Sequence, residues 1–257
     1  MSIIALRAWY IQDYEPIPEV EKRAPDIRLS KKSLLKSGLR ADFLEESEEV
    51  KKSTWFGRYL EGEQVEFYVE GSGGYSVANI DLISHEIYFT KQALLAQLEP
   101  IIYLCTQTEY ADATDALREG LATSLEKLNK RSRLPITLIE SYRPKEGAMR
   151  LSAAMMRKIR KSLLFIADTT AIAKIEGKDI TRQIPSPQVC IEIGYALQSK
   201  RSEQILLAKM QRLDYSGEFP FDLPTQQILE FATTKELTKI LPEAIETQLL
   251  RFKLFIK

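Results

Sequence analysis

The chain has little of the chemistry that usually points to a function. Its 257 residues include one histidine, His85, and two cysteines, Cys105 and Cys190. These are too few for a zinc site built from Cys and His, and two cysteines make no disulfide framework. No metal site is therefore expected. A single imidazole also leaves Ser-His-Asp and Cys-His catalysis short of parts. His85 stands in LISHEIYF, where a polar turn between two strand-like runs is the simpler reading. Lys plus Arg and Asp plus Glu number 36 each, so the formal net charge is zero. No overall basic field exists to recruit nucleic acid or an acidic membrane surface, and neither is an expected partner. Nowhere do 18 apolar residues follow one another, and MSIIALRAWYIQDYEPIPE has no basic leader before a long apolar run. A cytoplasmic protein is the expectation. GSGGYS, residues 71–76, is rich in glycine but lacks the lysine of a P-loop and leads into a strand-like run. It reads as a hairpin connection.

With 44% hydrophobic and 28% charged residues the chain can bury a real core. Its character changes near residues 91–100, which suggests a module over 1–95 and a second over 96–257. In the first, ALRAWYI reads as a strand, and Ser30 can cap a helix KKSLLKS that stops at Gly38. RADFLEESEEVKKSTWFGRYLEG reads as one or two amphipathic helices. EQVEFYVE, YSVANIDLI and HEIYFT then form a β-meander with helices packed on one face, an α+β module holding Trp9 and Trp55 in its core.

The second module alternates strand and helix. PIIYLCTQ, LPITLIES, KSLLFIADTT and QILLAKMQ read as strands. The first helix carries Ala113, Leu117, Leu121, Leu125 and Leu128 on one face, and the next has a stripe of Met149, Ala153, Met156 and Ile159. TKELTKILPEAIETQLLRF is a terminal helix that Pro242 kinks or divides. Such alternation predicts an α/β fold, a parallel sheet flanked by helices.

In such sheets ligands bind beyond the carboxyl ends of the strands, near the point where strand order reverses. Those ends supply Thr106, Gln107, Thr108 and Glu109, then Glu140 and Ser141, then Asp168, Thr169 and Thr170. Such hydroxyls, amides and carboxylates suit a ribose or phosphate. AIAKIEGKDITRQIPSP is too long for an ordinary connection and suggests a lid, a binding loop or a flap. SPQVCIEIGYAL, residues 186–197, follows it and reads as a helix start, with Ser186 as N-cap and Pro187 in the first turn. Its N-terminal amides are placed to face an anion. Glu192 lies about one and a half turns inside, with Gln188 and Tyr195 on its face. By spacing alone Glu192 is a solvated helix carboxylate, Gly194 a device for tight helix-to-sheet packing, and Asp222 an N-cap before Leu223-Pro224.

SPQVCIEIGYAL, preceded by IADTT and followed by QILLAKM and FPFDL, resembles the motif of bacterial TIR-like (Toll/interleukin-1 receptor-like) nucleotide-binding domains. Their usual form is Asn-Pro-Asn-Val-x-x-Glu-x-Gly-Tyr-Ala-Leu, a strand, then Pro-Phe-Asp. The similarity spans roughly residues 98–250, and its specific letters fall in 186–197 and 219–223. Here Ser186 and Gln188 replace the two asparagines, the preceding loop is longer, and CTQTEY replaces a Ser-Tyr-Ser type of start. The resemblance implies a flavodoxin-like parallel sheet and, in many members, cleavage of the nicotinamide glycosidic bond of NAD by a helix glutamate, which matches Glu192. The ligand it implies is NAD or a related nucleotide, with no required cofactor; the strand ends and the helix start then offer Thr106, Gln107, Thr108, Asp168, Thr169, Ser186, Gln188 and Tyr195 as candidate contacts to it. Assembly into homo-oligomers through this domain is also implied. The related nucleoside deoxyribosyltransferases use a similar glutamate as nucleophile with an aspartate that Asp168 would match. Deoxyribosyl transfer, or a non-catalytic nucleotide sensor or assembly module, stands as the alternative.

Overall fold

A computed structural model describes residues 5–35, 38–144, 152–178, 180–221 and 224–255. The chain forms two compact units, Met1–Leu98 and Glu99–Lys257.

In the first unit six antiparallel strands close into a barrel: β1 (Ala5–Tyr10), β2 (Ile27–Leu35), β3 (Gly38–Phe43), β4 (Glu66–Val69), β5 (Gly73–Asp81) and β6 (Glu86–Lys91), in the order β1-β2-β3-β6-β5-β4. Short helices α1 (Ile17–Val20), α2 (Ser47–Lys52) and α3 (Thr54–Leu60) lie in the connections. The meander β4-β5-β6 is the one read from sequence, with Gly71 and Gly73 in the left-handed region at its first turn. Two helix expectations are corrected: residues 31–35 continue β2, and residues 40–43 belong to β3. The alternation Leu39, Ala41, Phe43, all buried inside the barrel, has period two and outweighs the helix formers around it. Gly38 is no helix stop. A Cβ there would lie 2.4 Å from the Phe89 carbonyl oxygen, so the glycine lets β3 approach β6. His85 is a turn residue with φ 56°, its ring stacked on Phe43 at 4.9 Å. Trp9 and Trp55 are buried.

In the second unit five parallel strands, β7 (Glu99–Cys105), β8 (Thr137–Glu140), β9 (Ser162–Asp168), β12 (Ile205–Met210) and β13 (Ile228–Phe231), lie in the order β13-β12-β9-β7-β8. Counted along the chain this is 2-1-3-4-5, the doubly wound arrangement whose strand order reverses between β7 and β9. Every residue of central β9 is buried. Helices α4 (Ala111–Asn129) and α7 (Thr234–Leu249) pack together against β9. The five positions expected to face the core on α4 are all buried. Gly120 lets α4 and α7 approach closely, since a Cβ there would meet Leu237 and Leu241 at 3.3 Å and push them back by a few tenths of an ångström. α5 (Ala153–Lys161) and α6 (Pro187–Ser199) share a second core, built with Tyr103, Cys105, Phe165 and Ala167 of the sheet.

Several details differ from expectation. α7 runs through Pro242 undivided, giving up only the amide bond toward Thr238. Of the α5 stripe, Ile159 is buried, Ala153 is exposed, and Met149 lies outside the described residues, as does Asp222. The long connection before α6 is not an irregular flap. It folds into a two-stranded hairpin, β10 (Ala173–Glu176) with β11 (Thr181–Ile184), whose outer edge on β11 pairs with Glu218. The sequence pattern marks no strand at β13, which among the described residues follows β12 with only the short 3-10 turn Thr225–Gln227 as helix between them. Among the described residues no helix is long and apolar enough to cross a membrane.

Candidate functional site

The site begins with the register of α6. Pro187 occupies the first turn, where its fixed φ suits the helix and its missing N–H costs nothing. Val189, Glu192, Ile193 and Ala196 follow the i, i+3, i+4, i+7 pattern of one helix face, and all four are buried. Glu192 therefore sits in the core stripe, and its side chain has no solvent exposure. Leu197 lies off the stripe and is 43% exposed. Gly194 faces open space, with nothing within 4 Å of a would-be Cβ, so it does not serve tight packing.

A buried carboxylate requires a partner, and here it is Arg143, three residues beyond the end of β8. Its Nη1 donates to Glu192 Oε1 at 2.5 Å, its Nε to the Thr106 carbonyl at 2.7 Å, and its Nη2 reaches Cys105 Sγ at 3.4 Å. Tyr103, two residues before Cys105 and on the same face of β7, donates its hydroxyl to Glu192 Oε2 at 3.3 Å. Burial and the nearby Glu192 charge hold the Tyr103 phenol well above its usual range, so it stays a donor. Burial likewise pushes the Cys105 thiol up, which makes it a poor nucleophile. The carboxylate is thus fixed against the carboxyl end of β7, beside the reversal of strand order.

On the neighbouring strand ends, Asp168 is fully buried. Thr114 Oγ1 donates to its Oδ2 at 2.7 Å, and the Thr170 amide donates to its Oδ1 at 3.1 Å. Burial pushes its carboxyl up, and these hydrogen bonds offset part of the effect. Gln107 donates Nε2 to the Thr170 carbonyl at 3.2 Å, while its buried Oε1 has no partner. Thr169 donates to the Ala208 carbonyl at 3.0 Å, and Thr106 pairs with Ser141 at 3.1 Å.

The structure thus brings Thr106 to Glu192 through Arg143, and Gln107 to Asp168 through the Thr170 turn. Thr108 is exposed, and its amide donates to the carboxylate of Glu109 at 2.9 Å. Ser186 stands at the N-cap position but its side chain caps nothing. Its hydroxyl donates to Glu109 Oε1 at 2.9 Å, so the anion at the start of α6 is the chain's own carboxylate. Gln188 and Tyr195 are half-buried, Tyr195 against the α5–α6 core. Sequence reasoning missed Arg143 and Tyr103. The helix-face spacing of Glu192 with Val189, Ile193 and Ala196 was the available signal, since a carboxylate on that stripe demands a cation. Among the described residues no group of three or more His, Cys, Asp or Glu side chains is placed to hold a metal ion.

Fold and site together define a doubly wound α/β unit with a buried Arg–Glu pair at its strand reversal. No family model matches this chain, and no curated protein shows detectable similarity to it. A solved structure, the metal-soaked Flv1 flavodiiron core from Synechocystis sp. PCC6803, is similar at a TM-score of 0.35 and 14% identity. That likeness covers 62% of this chain and 37% of the other, and it is too loose to carry an argument.

Proposed function

We propose that the Glu99–Lys257 unit is a TIR-like nucleotide-binding domain that hydrolyses the N-glycosidic bond of NAD or a related nucleotide through Glu192. The observation that carries the reading is the Glu192–Arg143 pair, a charged couple with side chains 0% and 7% exposed at the strand-order reversal, where sheets of this topology bind ligands. Packing alone gives no reason for it, since apolar residues of similar volume often serve a core as well or better. In the reaction the C1′–N bond breaks and nicotinamide leaves with the bonding pair, so the positive charge of the pyridinium ring passes to the ribose. Glu192 stabilises that oxocarbenium charge, water adds its oxygen to C1′, and the displaced proton passes to solvent. Turnover requires the Arg143 guanidinium to swing off Glu192, which frees it to pair with a phosphate of the nucleotide.

The test is nicotinamide release from NAD by the full chain, read by mass spectrometry, with Glu192→Gln alongside. Loss of turnover by at least a hundredfold is expected, and equal rates would remove Glu192 from the mechanism. A second reading, a nucleotide sensor without turnover, is favoured by the complete enclosure of Glu192. It would show as NAD binding with no product at any protein concentration.

A further inference from the structure

A groove of about 780 Å³ lies between α4 and α7, on the side of the sheet away from the α5–α6 core that holds Glu192. Its walls carry Glu119 and Lys127 from α4 and Lys235 and Lys239 from α7. We propose that the groove docks an acidic amphipathic helix of a partner protein, whose carboxylates are held by Lys127, Lys235 and Lys239.

These lysines differ from the cations around them. On α4 and just beyond it, Arg118 is paired with Asp115 and Glu140, Lys130 with Glu126, and Arg131 with Glu246. Lys127, Lys235 and Lys239 are exposed and form no ion pair among the described residues. Lys235 and Lys239 also stand at i and i+4, a spacing at which like charges repel and mildly destabilise a helix. Glu119 is the one carboxylate on the walls, and it pairs with none of the three. A chain with no formal net charge thus leaves three cations unmatched around one groove, and an anionic occupant would relieve them.

The shape favours a helix over a small anion. From Lys235 to Pro242 the α7 wall is about 10 Å long, close to two turns of a docked helix. The volume lies within the roughly 300–1,000 Å³ of clefts that take ligands. Thr234, Thr238 and Pro242 add methyl and ring carbon to the walls, and the lysine stems add more. The occupant therefore needs apolar side chains toward the groove and carboxylates at its rim, which are the two faces of an acidic amphipathic helix. A free phosphate would satisfy the cations and leave the apolar walls to water.

The inference is independent of the reaction assigned to Glu192. A fluorescein-labelled helical peptide with leucine on one face and glutamate on the other is titrated with the full chain and followed by anisotropy, beside the same peptide with glutamine for glutamate. Physiological ionic strength is used, because charges more than about 8 Å apart are then largely screened. The glutamate peptide should bind at least tenfold more tightly than the glutamine peptide. Lys235→Glu and Lys239→Glu should each weaken it at least tenfold, whereas Lys158→Glu, at an exposed lysine of α5 across the sheet, should change it less than twofold. All three positions are exposed, and circular dichroism checks that the variants fold. Failure of the glutamate peptide to bind, equal binding of the two peptides, or equal effects of Lys158→Glu and Lys235→Glu overturns the proposal. Tighter binding of a labelled single-stranded oligonucleotide, lost in Lys235→Glu, would assign the groove to phosphate and overturn it as well.

Discussion

Replacing Arg143 with methionine isolates the cost of the buried pair. The side chains of Arg143 and Glu192 are 7% and 0% exposed, so removal of the guanidinium leaves an enclosed carboxylate with no cation beside it, held by the neutral Tyr103 hydroxyl and Cys105 thiol, and strips the Thr106 carbonyl of the Arg143 hydrogen bond. Breaking a buried ion pair from one side costs about 3–5 kcal/mol. For a unit of this size that corresponds to a fall in Tm of roughly 6–20 °C. Replacing both partners removes the stranded charge, so Arg143→Met with Glu192→Met should be more stable than Arg143→Met alone. Far-UV circular dichroism during urea or thermal unfolding reads both units. Tryptophan fluorescence follows Met1–Leu98 separately, because Trp9 and Trp55 are the chain's only tryptophans. A loss below about 1 kcal/mol for Arg143→Met, or a double variant that costs the sum of the singles, would refute the view that the two charges hold each other.

Asp168 gives a pH dependence. Burial raises its carboxyl above the unfolded value, so the fold binds that proton more tightly than the unfolded chain does. Its contribution is fully present below the unfolded value of about 3.9 and is lost as pH rises through the folded value. Asp168→Asn should therefore remove a downward slope of stability in that window, and parallel Tm curves for the two proteins would contradict it. Gly194 of α6 and Gly120 of α4 should behave oppositely. Gly194→Ala adds a Cβ in open space and should stabilise by about 0.5–1 kcal/mol. Gly120→Ala meets Leu237 and Leu241 at 3.3 Å and should bring no such gain; equal effects in chemical denaturation would undo the packing argument.

The parallel half of the fold was legible because its signals were redundant. Apolar runs of strand length alternate with 3.6-period helices, and Leu117, Leu121 and Leu125 face the core as their spacing requires. The barrel was only half legible. Lysine and leucine in KKSLLKS favour a helix locally, and the long-range pairing of β2 with β1 and β3 that overrides them leaves only the short period-two trace of Leu39, Ala41 and Phe43. By spacing alone Glu192 reads as solvated, whereas its place on the Val189–Ile193–Ala196 stripe buries it. Arg143 could not be located from sequence spacing. The contact joins residues 49 apart across two elements, and only the folded sheet brings them together.

The central claim is tested most directly by NAD binding and cleavage measured together on the wild-type chain and on Glu192→Gln, by calorimetry and by mass spectrometry of the products. Binding in both proteins, with nicotinamide and ADP-ribose released only by the wild type, is the expected result. Cleavage at equal rates by both, or no binding by the wild type, would contradict the account.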